Sequence, residues 1–159
     1  MSMQAADTEV RASVEVKAPV ERAFEVFTHD IGSWWNADHH IIEAELAEMV
    51  FEPRVGGHIY DRGVDGSECR WARVLAYEPP QRIVFSWDID PTWRLESDPE
   101  RTSEVEVRFT ERGPDRTLVE LEHRNIERHG DGWESVRDGV GSPGGWAGGL
   151  RLFAERLER

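Results

Sequence analysis

The order of hydrophobic patterns along the chain constrains its fold more than any other feature of the sequence. A segment of apolar–polar alternation comes first, a short helical pattern follows, and further alternating segments continue to about residue 124. The C-terminal part returns to helical spacing, with Trp146, Leu150, Phe153 and Leu157 at i, i+4, i+7 and i+11. Since no strand alternates regularly with a helix, this order excludes a parallel βαβ architecture.

Period-two alternation is clearest at residues 9–17, 82–89 and 104–110, where every second side chain is apolar. Such alternation is typical of a strand with one buried face. Residues 42–52 also read as a strand, but the alternation loses its phase between Leu46 and Met49, which predicts a β-bulge there. Turn residues separate these segments, so the strands are expected to form an antiparallel meander.

A helix is expected to cover the apolar face of this sheet. The C-terminal stripe is the only predicted helix long enough to do so. We therefore expect an α+β fold in which a curved antiparallel sheet of six to seven strands wraps around a long C-terminal helix. Pro19 opens a short helix after strand one, which Gly32 is expected to interrupt. Residues 1–159 are interpreted as one domain with a core at about 9–158.

The charge of the chain excludes some classes of partner. Its 32 acidic and 19 basic side chains give a formal net charge of −13, which repels nucleic-acid phosphates and anionic lipid. We therefore expect neither nucleic-acid nor membrane binding. There is no apolar run long enough to span a bilayer and no N-terminal signal pattern, so a cytoplasmic location is expected. The single cysteine, Cys69, excludes an intrachain disulfide.

Two local motifs suggest a cofactor or a metal, but neither has the right context. Residues 139–144 match G-x-G-x-x-G, yet a helical pattern precedes them where a dinucleotide site needs a strand, so we interpret them as a helix breaker. Asp38, His39 and His40 offer metal-binding groups, but adjacent histidines of an extended chain point apart. We predict no cofactor and no metal, and we interpret residues 38–40 as a polar loop beside a cavity mouth.

His123 is the only strongly titratable side chain on the clearly alternating inner faces. General acid–base chemistry usually needs two groups with separated pKa values, and these faces supply no carboxylate partner for it. No catalytic residue is therefore assigned, and catalysis is left open. His123 is interpreted as a hydrogen-bonded wall residue, a donor that orients a ligand, or a general base.

Several motifs together resemble the START-like (SRPBCC) superfamily. They are APVERAF at residues 18–24, Trp34-Trp35, FEPRVGG at 51–57, PPQRIVFSW at 79–87, and Gly145-Trp146. Within the superfamily the sequence is similar to the branch named after the C-terminal domain of the activator of heat shock protein 90 ATPase. The resemblance implies a helix-grip fold, with a cavity for an apolar ligand between the sheet and the long helix.

The resemblance and the apolar faces together give a set of expected ligand-binding residues. Seven of the fifteen aromatic residues are tryptophans, which either fill the core or line a cavity for a flat or sterol-sized molecule. We expect the cavity beside Phe85, Trp87, Phe109, Leu121 and His123. The complete predicted set is Trp34, Trp35, Met49, Phe51, Tyr60, Trp71, Phe85, Trp87, Phe109, Leu121, His123, Trp146, Leu150 and Phe153.

The function expected first is binding of a small hydrophobic molecule. The resemblance implies two alternatives, an enzyme of the polyketide cyclase or dehydratase kind and a co-chaperone that activates the chaperone ATPase. Two titratable groups facing the same cavity would favour the enzyme. A chaperone contact and a homodimer are left open as partners.

Overall fold

The computed structural model describes residues 8–158. Seven antiparallel strands form one sheet in the order β1-β7-β6-β5-β4-β3-β2. The sheet curls into a half-barrel, which confirms the expected α+β helix-grip fold. The strands are β1 (Val10–Val16), β2 (Leu46–Phe51), β3 (His58–Gly63), β4 (Glu68–Glu78), β5 (Arg82–Trp87), β6 (Ser103–Gly113) and β7 (Arg116–Arg124).

Within residues 8–158, three α-helices accompany the sheet. They are α1 (Val20–Thr28), α2 (Trp133–Val140) and α3 (Trp146–Leu157). Short 3-10 turns lie at Ile31–Ser33, Pro99–Arg101 and Ile126–His129. As the spacing predicts, the stripe of α3 is buried, and all four of its residues belong to the core.

Aromatic contacts join the two longest helices to the inner face of the sheet. The ring of Phe27 on α1 lies 5.2 Å from that of Phe153 on α3 and 5.5 Å from that of Phe109 on β6, both edge-on. Such edge-to-face pairs are a favourable geometry for aromatic rings. One continuous core therefore runs from the sheet through α1 to α3.

The structure corrects two boundaries and confirms the bulge. The register between β2 and β3 shifts between Leu46 and Glu48, where the sequence predicts a bulge. However, β2 begins only at Leu46, and residues 42–45, which the sequence predicts to be part of this strand, precede it as a loop. Helix α1 ends at Thr28, before Gly32, which lies within a 3-10 turn. Within residues 8–158, none of the helices has the length and apolarity that crossing a bilayer requires.

Candidate functional site

A pocket of about 390 Å³ opens beside the N-terminal end of α3. Pockets for drug-sized ligands usually occupy roughly 300–1,000 Å³, so this one can hold a small organic molecule. Its walls come from the loop after α1, from β3, β4 and β5, and from both C-terminal helices. The lining residues are Trp34, Trp35, Asn36, Asp38, His39, His40, Ile41, Asp61, Trp71, Trp87, Ile89, Trp93, Gly139, Val140, Gly145, Trp146 and Gly149.

Four tryptophans form a closed circuit of ring contacts in the pocket wall. Ring centroids are 5.2 Å apart for Trp35 and Trp71, 5.6 Å for Trp71 and Trp87, 5.6 Å for Trp87 and Trp146, and 5.8 Å for Trp146 and Trp35. We call these four residues the tryptophan ring. Indole faces and edges both bind flat apolar molecules well, so the ring gives the pocket an aromatic lining.

Hydrogen bonds hold several of these indoles in place. Trp146 Nε1 donates to His123 Nδ1 at 3.0 Å, and Trp35 Nε1 donates to the carbonyl oxygen of His39 at 2.9 Å. Trp34, which also lines the pocket, donates to the carbonyl oxygen of Val26 at 3.2 Å. Because the rings are fixed before any ligand arrives, little conformational freedom remains to be lost on binding.

Trp93 forms an exposed wall of the pocket. It lies in the loop after β5, has a positive φ of 65° and is 40% exposed. The Asp90 carboxylate holds this loop by accepting hydrogen bonds from the backbone N–H groups of Thr92 and Arg94. The Trp93 ring lies so close to Gly139 that a Cβ there would approach its carbons to 2.8 Å. Gly139 therefore allows this ring to close one side of the pocket.

The polar edge of the pocket is a histidine–carboxylate pair. His40 Nδ1 lies 2.8 Å from Asp61 Oδ2, and their side chains are 11% and 1% exposed. Asp61 is on β3 opposite Cys69 of β4, and its other oxygen, Oδ1, has no hydrogen-bond partner within residues 8–158. Burial and the charge of Asp61 raise the pKa of the Cys69 thiol to about 11, so it remains a neutral thiol at neutral pH.

A second polar cluster lies behind the tryptophan ring. His123 Nε2 and His129 Nε2 each lie 2.7 Å from the hydroxyl oxygen of Ser103, and all three residues are buried. Burial lowers the pKa of His123 to about 3, and the charge on His129 acts in the same direction, so His123 is neutral. This cluster is not part of the pocket lining, and it orients Trp146 from behind.

The family of the chain follows from a comparison with known families. The model of the activator of Hsp90 ATPase homolog 1-like proteins matches residues 17–157. The chain belongs to this family. A search of curated proteins finds no match.

Solved structures resemble this family member over nearly its whole length. The anthrahydroquino-γ-pyrone synthase Txn09, solved as a complex, is 41% identical, with 94% of this chain and 96% of that chain covered and a TM-score of 0.67. The self-sacrificing resistance protein CalC from Micromonospora echinospora is 28% identical, with 96% and 95% covered and a TM-score of 0.68. Protein MLL2253 from Mesorhizobium loti shares the fold at 20% identity, with 95% and 97% covered and a TM-score of 0.62.

The structure of this family member divides the predicted ligand-binding residues into two groups. Trp34, Trp35, Trp71, Trp87 and Trp146 line the pocket together. The other nine lie outside its lining. Phe85, Phe109, Leu121, Leu150 and Phe153 are packed in the core, and His123 is buried behind Trp146.

The remaining three predicted residues lie on β2 and β3, outside the pocket lining. Met49 packs against the core beside Gly32, and Phe51 faces Tyr77 with ring centroids 6.4 Å apart. Tyr60 lies beneath the guanidinium groups of Arg62 and Arg70, at 5.7 and 5.1 Å from its ring centroid. On the neighbouring strand β4, Arg73 pairs with Asp88 at 3.0 Å.

The sequence indicates the loop at residues 38–40 but not its buried partner, Asp61. Asp61 follows Tyr60 in a strand whose inward face the sequence does not assign, and the register of β3 against β4 shifts between Ile59 and Tyr60. Trp93 and the glycines at 139 and 149 are also missed. An exposed aromatic residue in a polar loop and two glycines within helical segments are the only signals for them.

Proposed function

We propose that this protein binds a flat, polycyclic aromatic molecule in the pocket beside α3. The observation that carries the proposal is the tryptophan ring, in which each of four indoles contacts two of the others in the wall of a space of about 390 Å³. Fused aromatic rings can stack on such a wall and meet the edges of the neighbouring indoles. The pair of His40 and Asp61 supplies a polar end that hydroxyl or carbonyl groups of a ligand can contact.

The relationship to Txn09 supports this class of ligand. That protein is named as an anthrahydroquino-γ-pyrone synthase and is 41% identical to this chain. Its name describes a product with fused planar rings. A molecule of that shape suits an indole-lined pocket better than a flexible acyl chain does, because rigid rings lose little conformational freedom when they bind.

The ligand class is tested by titrating the purified protein with three probes, a hydroxyanthraquinone, a sterol and a saturated fatty acid, while tryptophan fluorescence is recorded. Saturable quenching by the hydroxyanthraquinone, and much weaker responses to the other two probes, is the expected result. Equal or tighter binding of the fatty acid would remove the flat-ligand proposal. Native mass spectrometry of the freshly purified protein gives an independent search for a bound molecule.

A second candidate function is a cyclase-like enzyme. The observation that favours it is that two titratable side chains, His40 and Asp61, lie in one pocket within hydrogen-bond distance of each other. Ring closure of an aromatic polyketide is the reaction class that such a site suits, because proton transfer to and from the substrate can assist it. The test is incubation with an uncyclised aromatic polyketide and chromatography for a cyclised product, with the Asp61→Asn variant expected to be slower.

The chaperone contact implied by the family resemblance remains a prediction. An ATPase assay with the purified chaperone tests it directly. No acceleration of ATP hydrolysis at saturating concentrations of this protein would exclude that function.

A further inference from the structure

We infer that His40 is a proton acceptor for a phenolic hydroxyl of the bound ligand and that Asp61 is its positioning residue. This inference rests on the proposed binding of a hydroxylated aromatic ligand. The two side chains come from different parts of the fold, His40 from the loop after α1 and Asp61 from β3. Their contact at 2.8 Å is therefore made by the tertiary structure, at the edge of the tryptophan ring.

The hydrogen bond between these residues determines which imidazole nitrogen is available. When the Asp61 side chain is a carboxylate it only accepts hydrogen bonds, and His40 Nδ1 is then the donor to Asp61 Oδ2. In the neutral ring the other nitrogen, Nε2, then carries a lone pair. Within residues 8–158, Asp61 is the only hydrogen-bond partner of the His40 ring, so Nε2 is left for a ligand.

Asp61 is the deeply buried member of the pair. Only 1% of this side chain is exposed, and its Oδ1 finds no donor in the described part of the chain. A buried carboxylate is costly unless a positive charge lies beside it. A proton that arrives at His40 Nε2 creates that charge next to Asp61, while the proton on Nδ1 stays in place.

The other ionisable groups around the pair lie on the same loop and on β4. On the same loop, Asp38 and His39 also line the pocket, and from β4 the neutral thiol of Cys69 faces Asp61. His39 is tied to the tryptophan ring through its backbone, since its carbonyl oxygen accepts the hydrogen bond from Trp35. This bond also fixes the residue next to His40, so the imidazole is held at the pocket edge.

The proposed step is a single proton transfer. The O–H bond of the phenol breaks, its electron pair stays on oxygen as a phenolate, and the proton forms a new N–H bond at His40 Nε2. The resulting imidazolium is paired with the Asp61 carboxylate on one side and the phenolate on the other. No electron is gained or lost, and the proton on His40 can return to the ligand later.

The experiment measures the ionisation of a bound probe as a function of pH. The probe is 2-hydroxyanthraquinone, whose visible absorption changes when its phenol loses a proton. With wild-type protein in excess, we expect the absorption midpoint of the bound probe to lie at least about one pH unit below that of the free probe, the shift typical of a nearby opposite charge. A bound probe with an unchanged or raised midpoint would overturn the inference.

Three variants separate this inference from the proposed binding function. His40→Gln and Asp61→Asn are each expected to bind the probe but to lose most of the midpoint shift, whereas His58→Gln, outside the pocket, is expected to retain it. Near-UV circular dichroism verifies that each variant is folded. Failure of the wild-type protein to quench on titration contradicts the proposed ligand class, while binding without a midpoint shift contradicts only the role of His40.

Discussion

His123 shows how a single buried residue connects stability to the pocket. Trp146 donates to its Nδ1, so the neutral ring carries its proton on Nε2 and donates it to the Ser103 hydroxyl. The Ser103 hydroxyl can then donate to His129 Nε2 at 2.7 Å. The orientation of the Trp146 indole in the pocket wall therefore depends on a histidine that does not itself contact the pocket.

We expect acid to destabilise the protein partly through His123. The pKa of this residue is lowered to about 3 in the folded state, against an ordinary value of 6.5. Between these values the unfolded chain binds a proton that the folded protein does not, so stability falls as the pH decreases from about 6.5 towards 3. His123→Leu should lower the free energy of unfolding by ~2 kcal/mol at pH 7, because the buried indole N–H of Trp146 loses its acceptor. It should also reduce the dependence of stability on pH.

Urea unfolding at several pH values between 7.5 and 4 measures both effects of this substitution. The exposed residue His29 provides the control, and His29→Gln should follow the wild-type curve. If the His123→Leu and wild-type curves ran parallel over the whole range, His123 would not be a neutral buried histidine.

Glu106 gives a second residue-level prediction, on the outer face of the sheet. Burial raises the pKa of this carboxyl, but hydrogen bonds from Arg124, Arg82 and Arg108 outweigh it and lower the value from 4.5 to about 2. Its contribution is therefore present above pH 4.5 and is lost as the pH falls towards 2. Glu106→Gln should cost at most about 3 kcal/mol at pH 7.

The difference between wild type and Glu106→Gln should shrink as the pH is lowered from 4.5 towards 2. Unfolding midpoints in urea measure it, and the exposed neighbour Glu120→Gln is a matched control with little expected effect. An equal difference at pH 6 and pH 2.5 would show that the three arginines do not stabilise the ionised carboxylate.

The sequence predicts the elements better than it predicts the pair of His40 and Asp61. The stripe of α3 and the bulge near Leu46 are confirmed because each depends on periodicity within one segment. The contact of His40 with Asp61 joins residues that are 21 positions apart, across a loop without periodicity and a strand of unassigned face. A local sequence pattern does not predict a contact across so many positions, and the two side chains meet only in the folded chain.

At the scale of one element, we expect the largest loss of stability from a substitution in α3. Trp146 begins this helix, is buried, and contacts three aromatic residues of the pocket wall and core, Trp35, Trp87 and Phe85. Trp146→Ala should cost roughly 3–5 kcal/mol, as expected for a buried aromatic residue. Trp146→Phe is the matched variant, because it keeps an aromatic ring but removes the hydrogen bond to His123. A loss below about 1 kcal/mol for the alanine variant in urea unfolding would mean that α3 is not held by this contact.

For the whole molecule, the curl of the sheet explains why a pocket remains beside a filled core. The fold implied by the sequence places a cavity along the inner face, but large side chains such as Phe85, Phe109 and Phe153 fill its middle. The remaining space lies at one end, where the helices contribute Gly139, Gly145 and Gly149 instead of bulky side chains. The position of the pocket thus depends on the side-chain volumes that several elements contribute together. The hydrophobic pattern of a single segment does not predict it.

Ligand binding should be visible in the stability of the whole molecule. At a free concentration about a hundred times its dissociation constant, a ligand that binds only the folded state stabilises it by ~2.7 kcal/mol. For a chain of this size we expect a rise in Tm of about 5–10 °C. Thermal unfolding followed by intrinsic tryptophan fluorescence measures it with the hydroxyanthraquinone probe. No rise in Tm at a concentration that saturates the quenching titration would show that the probe does not prefer the folded state.

Gly149 provides a direct way to fill the pocket without disturbing the core. It lies within α3, and a Cβ added there meets only Trp34 Cζ3, at an ordinary 3.9 Å. Replacing a helical glycine with alanine removes a helix penalty of ~1 kcal/mol, so Gly149→Ala should be folded and slightly more stable. A larger side chain at this position would occupy space that the ligand needs.

The most direct test of ligand binding in the pocket beside α3 is a fluorescence titration of wild type, Gly149→Ala and Gly149→Leu with 2-hydroxyanthraquinone. Urea unfolding verifies that each variant is folded. Arg151→Ala, an exposed change in the same helix, is the control. We predict saturable binding by wild type and Arg151→Ala, weaker binding by Gly149→Ala, and none by a folded Gly149→Leu. Equal affinity for wild type and folded Gly149→Leu would contradict binding in the pocket beside α3.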